Sequence, residues 1–193
     1  ALTGPYFLAS TLSLVPIAFL ATPVAQFVQP KLIACVVRDQ RESARRWIWR
    51  LTLALTGLAV IPGILLGLAA PLIVPLWLQG SAEQDIVSSY TGLLMPGTSF
   101  GALGLVPAMV LIARRDYGAL AAISCVLTIA VLSTTAFLAL KNDIRGICMA
   151  YSLYYVVATV ALWLRAGQID SSFPKPFAVG AHVAKRRCEQ SPG

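Results

Sequence analysis

The chain has 193 residues, 58% of them hydrophobic and 12% charged, with a formal net charge of +7. Soluble domains carry roughly 25% charged residues, and here all 23 charges fall outside five charge-free stretches, at 1–30, 51–82, 86–113, 117–140 and 146–164. This segregation excludes a soluble globular class, and the basic residues border apolar runs in the positive-inside manner, so nucleic acid is not an expected partner.

A membrane-crossing helix needs roughly 17–25 mostly apolar residues, and a charge at the bilayer centre costs about 2.5–3.5 kcal/mol. The five stretches meet that requirement. The expected fold is an all-α integral membrane bundle of about five transmembrane helices, with the lipid bilayer as its solvent. The chain opens on Ala1 with no basic n-region and no small-residue cleavage site. It is not expected to carry a signal peptide, and it looks like a piece of a longer chain.

The first span is expected over 5–28, interrupted by Pro16 and Pro23, each of which removes a backbone donor and should bend the helix. The segment from Lys31 to Arg50 holds six basic residues against Asp39 and Glu42. It is expected to be a cytoplasmic loop with an interfacial helix at Asp39–Arg46. The second span is expected over 47–70, with Pro62 inside it and an apolar continuation through Trp77. Ser81, three residues before Gln84, fits a capping box that opens the next helix. The third span is expected over 86–113, with bends near Pro96 or Pro107.

A basic turn, Arg114-Arg115-Asp116, leads to the fourth span over 117–140. The loop Lys141-Asn142-Asp143 offers Asp143 as the N-cap of the fifth span, expected over 144–164. Residues 165–193 form a basic cytoplasmic tail, expected to be poorly ordered and too short for a domain. The 31–50 segment, the 114–116 turn and the tail hold 13 of the 15 basic residues; Lys141 and Arg145 are the other two. The asymmetry places the Ala1 side outside and the tail in the cytoplasm. Trp47, Trp49, Trp77 and Trp163 all fall at span ends, as interfacial aromatic residues do.

Chemistry is sparse. Gly63 and Gly67 on the second span and Gly97 and Gly101 on the third form small-residue stripes, suited to packing within the chain or to dimerisation. Cys35, Cys125, Cys148 and Cys188 lack metal or redox spacing; Cys125 and Cys148 are expected to be small packing residues. No ionisable residue lies deep in a span, so no coupling charge or proton relay is visible. No metal site, cofactor site or catalytic set emerges, and an enzyme is not expected; His182 stands alone in the tail. Among polar residues inside spans, Gln26, Gln29 and Ser99 stand out because they sit near prolines, where a helix opens. Lipid exposure would leave them unsatisfied, so they are the candidate substrate-cavity residues.

The sequence LSLVPIAFLATPVAQFVQPKLIACVVRDQRESARRWIWRLTLALTG resembles the eighth span, and the basic loop after it, of polysaccharide and O-antigen flippases in the multidrug/oligosaccharidyl-lipid/polysaccharide exporter superfamily. AAPLIVPLWLQG, the turn Ala113-Arg-Arg-Asp-Tyr-Gly118 and the segment Asn142-Asp-Ile-Arg-Gly146 fit the same pattern. The resemblance covers about residues 1–165 and is one of topology and soft motifs. It implies helices eight to twelve, half of a two-lobed transporter in the bacterial inner membrane, whose N-terminal lobe would be a partner of this part. It implies alternating access that flips an undecaprenyl-linked saccharide precursor, with the eighth and tenth helices contributing to the cavity wall. The basic cytoplasmic segment would help attract the substrate's pyrophosphate. A multidrug or cation exporter of the same superfamily and a non-transporting membrane assembly subunit are the alternative readings. A membrane-embedded transferase would need converging polar groups at a membrane face, and none converge.

Overall fold

The structure is a computed structural model that describes residues 3–38, 40–78 and 83–169. Asp39, the Ser81 end of the expected capping box, and the tail from 170 onward, with His182 and Cys188, lie outside the described residues. The described chain is helical, with short turns and no strand. Five rods are long and apolar enough to cross a membrane: Gly4–Val37, Arg41–Trp77, Gln84–Ala113, Tyr117–Leu140 and Ile144–Gln168.

The fourth rod, 24 residues, is about 36 Å long at 1.5 Å per residue, enough for a hydrocarbon core of about 30 Å. The first two rods, 34 and 37 residues, are about 50 and 55 Å long and extend well past that thickness. The 31–50 segment, expected as a loop with an interfacial helix, is a helical hairpin that prolongs both rods. Its cause is a pair of facing apolar stripes. Val28, Leu32 and Val36 recur every fourth residue on one rod; Ala44, Ile48, Leu51 and Leu55 recur every third or fourth on the other; all are buried. Such spacing puts each set on one helix face, while Arg38, Arg41, Arg46 and Arg50 stay exposed.

The last two corners are built alike. In the first, the Arg115 and Asp116 amides donate to the Ile112 and Leu111 carbonyls; in the second, the Asn142 and Asp143 amides donate to the Ala139 and Leu138 carbonyls. This is the Schellman pattern, with its left-handed residue at Arg115 (φ 59°) and Asn142 (φ 54°). An aspartate follows at once and caps the next rod. Asp116 Oδ1 accepts from the Ala119 amide at 3.4 Å, and Asp143 Oδ1 from the Gly146 amide at 2.9 Å, the cap expected from sequence. The other oxygen of Asp116 pairs with Arg165, at 2.9 Å from its terminal nitrogen and 3.0 Å from Nε. That pair ties the corner to the end of the fifth rod, which runs on through Ile169.

The third rod is the centre of the bundle. It packs on the first, second and fifth rods, while the fourth rod leans chiefly on the fifth. Both glycine stripes are spent on these contacts. A β-carbon at Gly63 would overlap Ser99 Oγ, and one at Gly67 would lie 3.2 Å from Met95 Cβ. On the opposite face of the third rod, a β-carbon at Gly97 would collide with the backbone and hydroxyl of Ser152, and one at Gly101 would lie 2.7 Å from the Tyr155 ring. Close backbone approach of this kind drives helix association where the surroundings are already apolar.

The expected proline distortions take specific forms. The first rod leaves α-geometry in a π turn over Pro16–Ala21, and the third passes through a 3-10 turn at Ala102–Gly104, between Pro96 and Pro107. The second has a π turn at Thr56–Val60, just before Pro62. The two π turns pack against each other. Pro107 has no amide to offer Leu103, and the Trp163 Nε1 hydrogen bonds that carbonyl at 3.3 Å.

Gly97→Ala is expected to destabilise the bundle by about 1–3 kcal/mol, because the Ser152 backbone cannot yield cheaply. Gly118→Ala, where a β-carbon meets nothing within 4 Å, is expected to be neutral or mildly stabilising. Thermal unfolding of both variants in detergent micelles checks the contrast; equal midpoints would refute the crossing.

Candidate functional site

The buried core is divided in two. One cluster, with Leu32, Ile48, Leu55, Val106 and Leu111, fills the end nearest Arg38 and Gln40; the other, with Ala9, Val74, Val87, Leu94 and Cys148, fills the opposite end. Between them lies a layer of small and hydroxylated residues: Ser13, Pro16, Gly63, Gly97, Thr98 and Ser99, all buried. The π turn at Pro16 starts in this layer.

The layer opens into a cleft of about 270 Å³ bordered by the first, third and fifth rods. Tyr6, Ser10, Ser13 and Leu14 come from the first rod, Leu94 and Thr98 from the third, Tyr151 and Tyr155 from the fifth. These rods run in the same direction, so their polar positions meet at one depth. Thr98 Oγ1 bridges two of them by donating to the Ser13 carbonyl at 2.9 Å, with the Leu94 and Met95 carbonyls at 3.1 Å as alternative acceptors. Ser10 and Ser13 donate to the Phe7 and Ser10 carbonyls, each at 2.8 Å. The hydroxyls of Tyr6, Tyr151 and Tyr155 have no hydrogen-bond partner among the described residues. Tyr154 packs edge-on against Tyr155, with ring centroids 5.3 Å apart, and steadies that ring.

Chemically, the cleft offers three phenol donors, serine acceptors and aromatic faces, with no charged residue in its lining. It suits a neutral, hydroxyl-bearing group. Its volume lies below the about 300–1,000 Å³ of drug-sized pockets, so its space is that of a small group. Among the described residues, no group of three His, Cys, Asp or Glu side chains is placed to hold a metal ion.

The three candidates singled out from sequence lie elsewhere. Gln26 is on an exposed face of the first rod, and Gln29 is half-buried one turn on. Ser99 is fully buried at the crossing with Gly63, where its hydroxyl has no hydrogen-bond partner. Thr91, two turns earlier on the third rod, is likewise buried and unpartnered. None of the three lines the cleft, and they are not brought together. Sequence reading missed Tyr6, Ser10 and Ser13. The available signal was the hydroxyl set at 6, 10 and 13, spaced one helical turn apart on an otherwise apolar rod. Cys148 is buried in the core as a packing residue, whereas Cys125 is exposed, because the fourth rod is peripheral.

Ser99→Ala is expected to leave stability unchanged or raise it by about 1 kcal/mol, since it removes a buried hydroxyl that bonds to nothing. Gly63→Ala is expected to lose about 1–3 kcal/mol, and Ser99→Gly in the same chain is expected to restore most of it. A double-mutant cycle on denaturation midpoints checks this; independent, additive effects would show that the two positions do not touch.

Comparison with protein-family profiles, with curated proteins and with solved structures finds no match to this chain.

Proposed function

We propose that this chain is the C-terminal part, about helices eight to twelve, of a two-lobed bacterial inner-membrane transporter that flips undecaprenyl-linked saccharide precursors by alternating access. The reading is supported by the resemblance in sequence order and by one observation above the others. An uncharged, hydroxyl-lined cleft lies beside the layer where the first rod changes helical form. Sugar hydroxyls pair with neutral donors and acceptors, and the cleft supplies both. A small substituent fits it; the lipid carrier would stay in the bilayer.

The membrane setting has support of its own. Phe7, Phe19 and Phe27 on the first rod are 71–74% exposed, and Leu68, Leu72 and Leu76 on the second are 71–73% exposed. Water does not tolerate contiguous apolar surfaces of this size on a monomer; lipid tails do. In this reading the first, third and fifth rods start at the periplasmic face. Gln26, being exposed, is available to a face shared with the N-terminal lobe, with Gln29 beside it.

Orientation is tested by impermeant thiol labelling in cells, after the native cysteines are replaced by serine. A cysteine at Glu83 is expected to label from the periplasm and one at Ser43 only after lysis. The reverse pattern would overturn the topology.

Transport is tested by deleting the parent gene and scoring surface polysaccharide. Deletion is expected to abolish it. Complementation with Tyr6→Phe, Tyr151→Phe and Tyr155→Phe combined is expected to lower the surface polysaccharide about tenfold at normal expression, since each lost hydroxyl removes about 0.5–1.5 kcal/mol of hydrogen bonding. Gln26→Ala and Gln29→Ala are expected to reduce it less. Normal polysaccharide with new drug sensitivity in the deletion strain would favour the exporter reading. Full complementation by the triple variant would reject the cleft while leaving the flippase reading in place.

A further inference from the structure

The hairpin end of the first two rods carries a basic–aromatic cluster. Lys31 Nζ lies 4.9 Å from the Phe27 ring centroid and 5.5 Å from that of Trp47. The Arg50 guanidinium carbon lies 5.7 Å from the same Trp47 ring. Two cations from two rods thus sit within 6 Å of one indole. Neither forms an ion pair with a carboxylate among the described residues. Cation–π contact fixes their positions and leaves their N–H donors open.

The depth of this cluster is informative. Arg50 is 27 residues from Trp77, where the second rod ends. At 1.5 Å per residue it stands about 40 Å from that end, which matches the about 40–45 Å thickness of a bilayer with its headgroups. Lys31 shares its depth, because both cations lie against the Trp47 ring. Toward the bilayer centre both rods carry exposed apolar side chains: Phe27 is 71% exposed, Leu53 64% and Phe19 74%.

We propose that Lys31, Trp47 and Arg50 form a binding site for the phosphate of an anionic phospholipid, whose acyl chains lie along Phe27, Phe19 and Leu53. The proposal rests on the membrane reading above and is independent of what the protein transports. A phosphodiester accepts from an ammonium and a guanidinium at once; the indole holds the cations at headgroup height and excludes water from one side. A free phosphate ion would use the cations but gain nothing from the exposed apolar surface beneath them. The occupant is a bilayer lipid.

The test reads Trp47 fluorescence in the full chain with Trp49, Trp77 and Trp163 replaced by Phe. The chain is reconstituted in phosphatidylcholine vesicles containing brominated phosphatidylglycerol or brominated phosphatidylcholine as quencher. Phosphatidylglycerol is expected to quench preferentially. Lys31→Gln and Arg50→Gln are each expected to lower that preference about fivefold, and the double variant to abolish it; Arg115→Gln should leave it intact.

Equal quenching by both lipids in the parent protein would overturn the site. Displacement of phosphatidylglycerol by millimolar inorganic phosphate would reassign it to a free anion. Displacement by a prenyl pyrophosphate far beyond its mole fraction would reassign it to the substrate path. No quenching by either lipid would instead sink the membrane reading. Native mass spectrometry of the chain with all four tryptophans gives a second measurement. Retention of phosphatidylglycerol over phosphatidylcholine is expected there, and its absence counts against the site.

Discussion

The contact on which the bundle depends is the double crossing of the third rod, where glycine lets a neighbouring rod approach on each side. Gly63 of the second rod receives Ser99, and Gly97 receives Ser152 of the fifth. The missing side chains let the backbones approach closely, and dispersion between them contributes to the association. These crossings locate the third rod at the centre, with the first rod alongside it through the Thr98–Ser13 hydrogen bond. The fourth rod, which lacks such a crossing onto the centre, remains peripheral.

A second constraint comes from proline. Each one inside a rod removes an amide and leaves a carbonyl four residues earlier without its ladder partner. At Pro16, Pro62 and Pro107 the chain answers in two ways, while Pro30, Pro71, Pro75 and Pro96 sit within unbroken α-helix. It changes helical form, as in the π turns at Pro16–Ala21 and Thr56–Val60, or it recruits a donor from another rod, as Trp163 does for Leu103. The first answer concentrates irregular backbone where the two π turns meet. The π turn of the first rod starts beside the uncharged polar cleft. Small residues and hydroxyls divide the apolar core there, and the rods are held by few large interlocking side chains.

The chain also separates its charges by task. Asp116 caps the fourth rod with one oxygen and holds Arg165 with the other, and Asp143 caps the fifth. Lys31 and Arg50 are held against aromatic rings. Carboxylates set the geometry of the corners, while these cations are held by aromatic rings at the hairpin end.

The sequence by itself determined the five apolar rods, the cap at Asp143 and the prolines near which the first and third rods change helical form. These follow from local chemistry: runs free of charge, a side chain three residues from the amide it accepts, a ring without an N–H. It also carried the 31–50 hairpin in the 28/32/36 and 44/48/51/55 spacings, which the density of arginine obscured. The tertiary structure alone decided which polar groups meet. Ser99 faces Gly63 and not a cavity, while Ser13, Thr98 and Tyr155 share a cleft. A helix that is apolar all round has no amphipathic face to fix its rotation about its own axis. That rotation is set by which glycine admits which neighbour, a fit between distant segments that no local pattern encodes.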